Sequence, residues 1–194
     1  MTRLDVLLPA LSIVAIFLAR ILELRTKRNI VAGPIKENLT LRLFIVTGVI
    51  MLASTLAELI LTQPKINWML FVCGWLIAIA SFVIRRRAIA ALGRFWSLHV
   101  EIRENHEFVR TGPFRWLRHP TYFSMILELV SMAVIASVFR SLLIIPVLFF
   151  PVLLIRLRIE EAALVEKFDG DYVEYQRTTP ALFPYRIPRR NLHE

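Results

Sequence analysis

The chain has 194 residues, 57% of them hydrophobic and 20% charged, with a mean hydropathy of +0.60. Soluble domains of this length run nearer half apolar and a quarter charged, so an ordinary water-soluble domain is excluded. The formal net charge of +9 raises nucleic acid as a partner, but the basic residues are gathered between long apolar blocks, which argues against it.

Five apolar blocks follow one another, at residues 4–24, 43–61, 66–84, 122–138 and 141–155. A helix needs about 20 residues to cross the hydrocarbon layer. The first block has the position of a signal peptide. Its basic flank is only Arg3, Asp5 follows at once and the apolar run is long, so it reads as a spanning helix. The third block carries no charge. Cys73 lies midway along it and is expected to be a buried small apolar residue. As the only cysteine, it excludes an intrachain disulfide and a metal site of several thiolates. The fourth and fifth blocks are short and nearly contiguous around Phe139, Arg140 and Ser141, and are expected to form a tight helical hairpin. Glu128 lies inside the fourth, where an ionisable side chain often has a role. It is either a polar contact near a lipid path or a structural hydrogen bond to another span.

The basic residues fix an orientation. Residues 25–42 hold Arg25, Lys27, Arg28, Lys36 and Arg42. Residues 85–122 hold Arg85, Arg86, Arg87, Arg94, Arg103, Arg110, Arg115 and Arg118. The tail holds Arg156, Arg158, Lys167, Arg177, Arg186, Arg189 and Arg190, whereas the alternate connections hold only Lys65 and Arg140. Five crossings put the three rich segments on one side. The positive-inside rule makes that side the cytosol and leaves the amino terminus outside. A basic rim there also suits anionic lipid headgroups.

Two segments, 85–121 and 156–194, are too polar for the bilayer and too long for simple turns. Gly112-Pro113 signals a turn. His119-Pro120 precedes the fourth span, and proline is tolerated in a first helical turn because its missing N–H would have no partner there. In the tail, Leu157, Glu161, Leu164, Phe168 and Tyr172 fall at helical spacing, so residues 156–175 are expected to be helical, interrupted at Gly170 and ended by Thr179-Pro180. Arg156 and Glu160 share a face. They form either an ordinary i,i+4 pair or part of a site. Tyr122 and Trp116 could equally be interfacial anchors. His99, His106 and His119 are too scattered to be a metal motif.

The order of these features is more specific than any one of them. Arg118-His119-Pro120-Thr121-Tyr122, two apolar blocks, then Arg156 with Glu160-Glu161, Leu164, Phe168, Tyr172 and Tyr175 resembles isoprenylcysteine carboxyl methyltransferases. It is similar to their RHPxY box and their R-x-x-x-E-E-x-x-L-x-x-x-F-x-x-x-Y-x-x-Y signature. The run His106-x-Phe108-Val109-x-Thr111-Gly112-x-Phe114 is similar to the family segment leading into that box. The likeness covers about residues 93–184. Departures are Ser124, where glycine is frequent, and Glu107 and Pro113.

The resemblance implies an all-α integral membrane protein of about five transmembrane helices, forming a single methyltransferase domain over residues 1–194. The loop before the fourth helix and the C-terminal helix would form a cytosolic cofactor-binding region. It implies methyl transfer from S-adenosylmethionine, leaving S-adenosylhomocysteine, to the α-carboxylate of a prenylcysteine-like lipid that arrives from the bilayer; no metal and no nucleic acid are expected. The six glycines form no G-x-G-x-x-G run, so the cofactor pocket cannot be the usual glycine-rich turn. By the resemblance, His99, His106, Glu107, Phe108, Val109, Phe114, His119, Pro120, Thr121, Tyr122 and Glu160 would line it. His119 would bond the cofactor's carboxylate, and Glu160 its ammonium or ribose hydroxyls. Arg156 would orient the acceptor carboxylate through its planar, permanently charged fork; Glu161 is left as a supporting residue. The nearest rival is a membrane methyltransferase acting on an amine, such as a phospholipid headgroup. A small transporter coupled to ions through Glu128 is a lesser alternative, and hydropathy gives it no inverted repeat.

Overall fold

The structure, a computed structural model, describes residues 3–25, 39–93, 96 and 109–185. These residues form five helices and no strand: α1 (Arg3–Arg25), α2 (Leu39–Thr62), α3 (Trp68–Leu92), α4 (Pro120–Ala136) and α5 (Phe150–Thr178). A 3-10 turn at Gly112–Arg115 precedes α4. Between α4 and α5 lie a second 3-10 turn, Arg140–Leu143, and a π-helical turn, Ile145–Phe149. The segments Arg3–Glu23, Leu39–Thr62, Trp68–Leu92 and Arg140–Thr178 are long and apolar enough to cross a membrane, and α4 is a shorter apolar helix of 17 residues. The protein is thus an integral, multi-pass membrane protein.

Local chemistry sets the helix ends. The side-chain carbonyl of Asn67 accepts from the Leu70 N–H at 3.2 Å and opens α3, while Gly93 closes it at φ +52°, a conformation that a side chain would oppose. Pro120 occupies the first position of α4, and Ser137 ends that helix in the left-handed region at φ +56°. The expected hairpin follows. Glu58 of α2 closes it from the side, accepting from the N–H groups of Arg140 (3.1 Å) and Ser141 (2.8 Å), donors that a short helical turn leaves unpaired.

α4 is the centre of the bundle. One of its faces packs Tyr122, Ile126, Leu129 and Ala133 with Phe44, Met51, Phe149 and Leu153. Another packs Met132, Ile135 and Ala136 with Ile13, Ile16, Leu59 and Ala78. α3 lies close beside it because Gly74 has no side chain. A Cβ there would stand 2.6 Å from Ile135 Cγ1 and 2.8 Å from its backbone nitrogen, the close approach that small residues permit between membrane helices. Further along, Ser81 donates to the Ser124 carbonyl at 2.8 Å, and Ser124 itself donates to the Thr121 carbonyl at 2.6 Å. The serine standing where glycine is frequent is therefore fully buried and bonded.

Two ends of the bundle are distinguishable. At one, Asp5 accepts from the Ile66 N–H and Glu58 holds the α4–α5 turn. At the other, the last turns of α1 and α3, the first turns of α2 and α4, and the polar half of α5 converge. Two expectations are corrected. Cys73 is exposed on the outer face of α3 rather than buried. α5 runs unbroken through Arg156, and its non-helical residue is Asp169 (φ 43°), one position before the expected break at Gly170.

Candidate active site

The site is made where the first turn of α4 meets the middle of α5. The Tyr122 hydroxyl donates to Glu160 Oε2 at 2.6 Å and accepts from Arg156 Nε at 2.7 Å. Arg156 Nη1 also donates to the Thr40 hydroxyl of α2 at 2.9 Å, and its guanidinium lies 5.7 Å from the centre of the Phe44 ring. Arg156 is only 4% exposed. A guanidinium so buried survives because its N–H groups find acceptors and an aromatic face. The Glu160 side chain, at 32%, keeps contact with the outside. One phenol thus couples a buried cation to a half-exposed carboxylate.

A cavity of about 340 Å³ opens on this group. Thr121, Tyr122, Arg156 and Glu160 line it at one end, and apolar side chains such as Phe44, Met125, Leu129 and Phe149 form most of its wall. Ile45 and Val49, exposed on the outer surface of α2, line it as well.

Behind Tyr122 a second set of bonds fixes the approach to α4. His119 stacks on the Tyr122 ring with centroids 5.6 Å apart. Its Nε2 is 3.1 Å from Glu161 Oε1, and its Nδ1 is 3.9 Å from Glu160. Arg118 Nη2 reaches the same Glu161 oxygen at 2.8 Å, while its Nη1 donates to the carbonyls of Gln176 (2.8 Å) and Thr179 (3.1 Å) at the end of α5, where a cation is favoured. Gln176 completes the clasp by donating to Glu161 Oε2 at 3.1 Å. Partial burial opposes ionisation of Glu161, but His119 and Arg118 overcome it and hold the carboxyl below its ordinary range. Two backbone bonds, Arg118 N–H to Pro180 and His119 N–H to Ala181, tie the strap after α5 to the same turn.

Other expected residues fall around this core. Pro120 starts α4 and lines a second hollow with Gly112, Pro113 and Trp116. Phe114 is buried, and its carbonyl accepts from Tyr175 at 2.6 Å. Burial pushes the Tyr172 and Tyr175 phenols far above their usual range, and Tyr175 is the neutral donor to the Phe114 carbonyl. Val109 is half-buried and lines neither hollow. His99, His106, Glu107 and Phe108 lie outside the described residues. The sequence reading missed Thr40 and Phe44, which come from a distant helix, and it underrated Glu161, the anchor of His119. No group of three or more metal-ligating side chains occurs among the described residues.

A helical membrane bundle whose α4–α5 junction carries this arginine–tyrosine–glutamate group agrees with what comparison finds. The sequence profile of the isoprenylcysteine carboxyl methyltransferase (ICMT) family matches residues 69–166, half of the chain, and the chain belongs to that family. The matched region runs from α3 into α5 and includes Tyr122, Arg156 and Glu160. The chain is 27% identical to the uncharacterized protein YpbQ of Bacillus subtilis over 58% of its own length and 67% of that protein. It is 28% identical to the protein-S-isoprenylcysteine O-methyltransferase of Saccharomyces cerevisiae over 59% of its own length and 48% of the yeast protein, so the match spans about half of that relative. Among solved structures, the eukaryotic intramembrane Ras methyltransferase ICMT superposes with a TM-score of 0.50 at 21% identity, covering 77% of this chain and 69% of the other, a likeness of fold.

Proposed function

We propose that this chain transfers the methyl group of S-adenosylmethionine to the carboxylate of a lipid acceptor that reaches the site through the bilayer. The observation that carries this reading is the cavity. Its wall is apolar over most of its length and ends on Arg156, Tyr122 and Glu160. An aqueous substrate gains nothing from such a wall, whereas a hydrocarbon chain gains roughly 25 cal/mol for each Å² buried.

The residues fit the cofactor. Glu160, partly exposed on the cavity, suits a cation or ribose hydroxyls; Tyr122 is bonded to it and Thr121 lines the same cavity. S-adenosylmethionine supplies, when bound, an electrophilic methyl on a sulfonium. Thr121, Tyr122 and Glu160, which line the cavity, are assigned to its side of the site, and His119, Pro120, Phe114 and Val109, which do not line it, are assigned there through the family likeness. His99, His106, Glu107 and Phe108 belong to the same assignment through the family likeness. His119, already engaged with Glu161, acts chiefly by holding Tyr122 and the start of α4 in place.

An acceptor carboxylate with a pKa near 3.5 is ionised at neutral pH, so no general base is required. Arg156 orients that carboxylate. Tyr122 and Thr40 fix the guanidinium plane, so the direction of attack is set before the acceptor arrives, and orientation of this kind is worth several kcal/mol. The apolar wall removes water from the carboxylate, which favours attack of an anion on a cation. The whole chain is read as one catalytic domain, with the basic end of the bundle in the cytosol, a placement that the charge asymmetry supports.

Two measurements on the purified protein in detergent test this. In calorimetry with S-adenosylhomocysteine, Glu160→Ala weakens binding, whereas Arg156→Ala spares binding and abolishes methyl transfer. Equal loss of both properties in both variants would contradict the division of roles. The rival acceptor is an amine such as phosphatidylethanolamine, which must shed a proton; the presence of Arg156 on the cavity favours the carboxylate.

A further inference from the structure

The second hollow, where Pro120 starts α4, shares no lining residue with the catalytic cavity. It holds about 540 Å³, within the range of sites that take small molecules. α3 contributes Val83 and Arg87, the 3-10 turn before α4 contributes Arg115, and Trp116 and Phe123 extend an apolar wall. Val83 and Arg87 are four residues apart and share a helix face, apolar first and basic one turn later. Val83 is 43% exposed and Trp116 50%, while Phe183, also exposed, meets the Phe123 ring edge-on at 6.1 Å. On a membrane-spanning bundle such apolar side chains face lipid, and tryptophan favours the headgroup level.

The two arginines set this hollow apart. Other arginines at this end of the bundle are spent on the chain itself. Arg85 donates to Glu23 at 2.7 Å and to Glu128, Arg110 to the Asp171 carbonyl at 3.0 Å, and Arg118 to Glu161 and the end of α5. Arg87 and Arg115 are exposed, and their guanidinium groups make no hydrogen bond or ion pair among the described residues. Nor does any carboxylate among the described residues line the hollow. It therefore offers two uncompensated positive charges beside an apolar wall. The matching occupant is anionic at one end and hydrocarbon at the other. A zwitterionic headgroup would bring a cation that finds no carboxylate, and a free anion would leave the apolar wall unused.

We propose that this hollow binds one anionic phospholipid, with its phosphate held by Arg87 and Arg115 and its acyl chains lying along Val83, Trp116 and Phe123. The guanidinium fork suits phosphate oxygens. Arg87 belongs to α3, whereas Arg115 belongs to the turn that leads into His119 and Tyr122, so one headgroup ties these two elements together. The site does not depend on which acceptor is methylated in the catalytic cavity.

The test compares phosphatidylglycerol with phosphatidylcholine of the same acyl chains, added to the full-length protein in detergent. Binding is read by native mass spectrometry and the unfolding temperature by thermal scan. Wild-type protein binds phosphatidylglycerol about tenfold more tightly, the effect of two basic residues on an anionic headgroup, and its unfolding temperature rises with that lipid. Arg87→Gln with Arg115→Gln brings the two lipids to within about twofold and removes the rise; each single substitution lowers the preference part of the way and serves if the pair does not fold. The control is Arg86→Gln with Arg158→Gln, which removes the same charge from exposed arginines outside the hollow and leaves the preference intact. Equal binding of the two lipids by wild-type protein, or an unchanged preference in the hollow variant, overturns the site. Equal loss in both pairs would mean a diffuse basic rim rather than a site, and displacement of the lipid by inorganic phosphate at equal concentration would make the occupant a free anion; either result also overturns it.

Discussion

Replacing Tyr122 with phenylalanine removes one oxygen and leaves the ring that packs against His119 and Phe44. That oxygen makes two charge-assisted bonds, 2.7 Å from Arg156 and 2.6 Å to Glu160. The losses are unequal. Glu160 is about one-third exposed and regains water, whereas Arg156 is 4% exposed and its Nε is left without this acceptor. A hydrogen bond to a charged group is worth about 1.5–3 kcal/mol, and a buried partner left unpaired keeps most of that cost. If the bond serves to fix the guanidinium for the acceptor, the loss falls on the transition state, and kcat/KM drops about tenfold to a hundredfold. The assay is transfer of labelled methyl to S-farnesylcysteine in detergent, with helix content followed by circular dichroism and S-adenosylhomocysteine affinity by calorimetry. Affinity changes less than kcat/KM. A Tyr122→Phe protein within twofold of wild type in kcat/KM would refute the reasoning.

Other expectations concern the frame around the site. Gly74→Leu forces atoms against the backbone of Ile135, which cannot rotate away, so overpacking of about 1–3 kcal/mol lowers the unfolding temperature in detergent. Glu58→Ala frees the Arg140 and Ser141 N–H groups at the end opposite the site; limited proteolysis then cuts the α4–α5 turn faster while methyl transfer is retained. The Glu161 carboxyl has its pKa held down in the fold, so its contribution to stability is complete above the ordinary glutamate value of about 4.3 and disappears as pH falls through its lower folded value. Thermal midpoints measured from neutral to acid pH decline over that window in wild type, and Glu161→Gln loses that part of the decline.

The helices were legible because a bilayer demands long apolar runs, and the α4–α5 hairpin because so few residues separate its two blocks. The residue order around Tyr122, Arg156 and Glu160 was legible as well, since helical spacing put the last two on one face. Contacts across the bundle were not. Thr40 and Phe44 reach Arg156 from more than 110 positions away, and no local period encodes that distance. Cys73 illustrates a second limit. In water an apolar residue marks the inside, but a membrane helix is apolar on both faces, so composition does not say which face is packed. Arg20 and Glu23, two charges near the end of the first block, bond each other, and Glu23 also accepts from Arg85 of α3 at 2.7 Å, a contact that hydropathy does not reveal. Their partner Arg85 was counted only as part of a basic rim.

The central claim is that a lipid carboxylate receives the methyl group beside Arg156. Purified protein incubated with methyl-labelled S-adenosylmethionine, S-farnesylcysteine and phosphatidylethanolamine tests it most directly. The account predicts label in a base-labile methyl ester of the prenylated acid, absent with Arg156→Ala. Label confined to base-stable methylamines, or ester formation undiminished by that substitution, would contradict it.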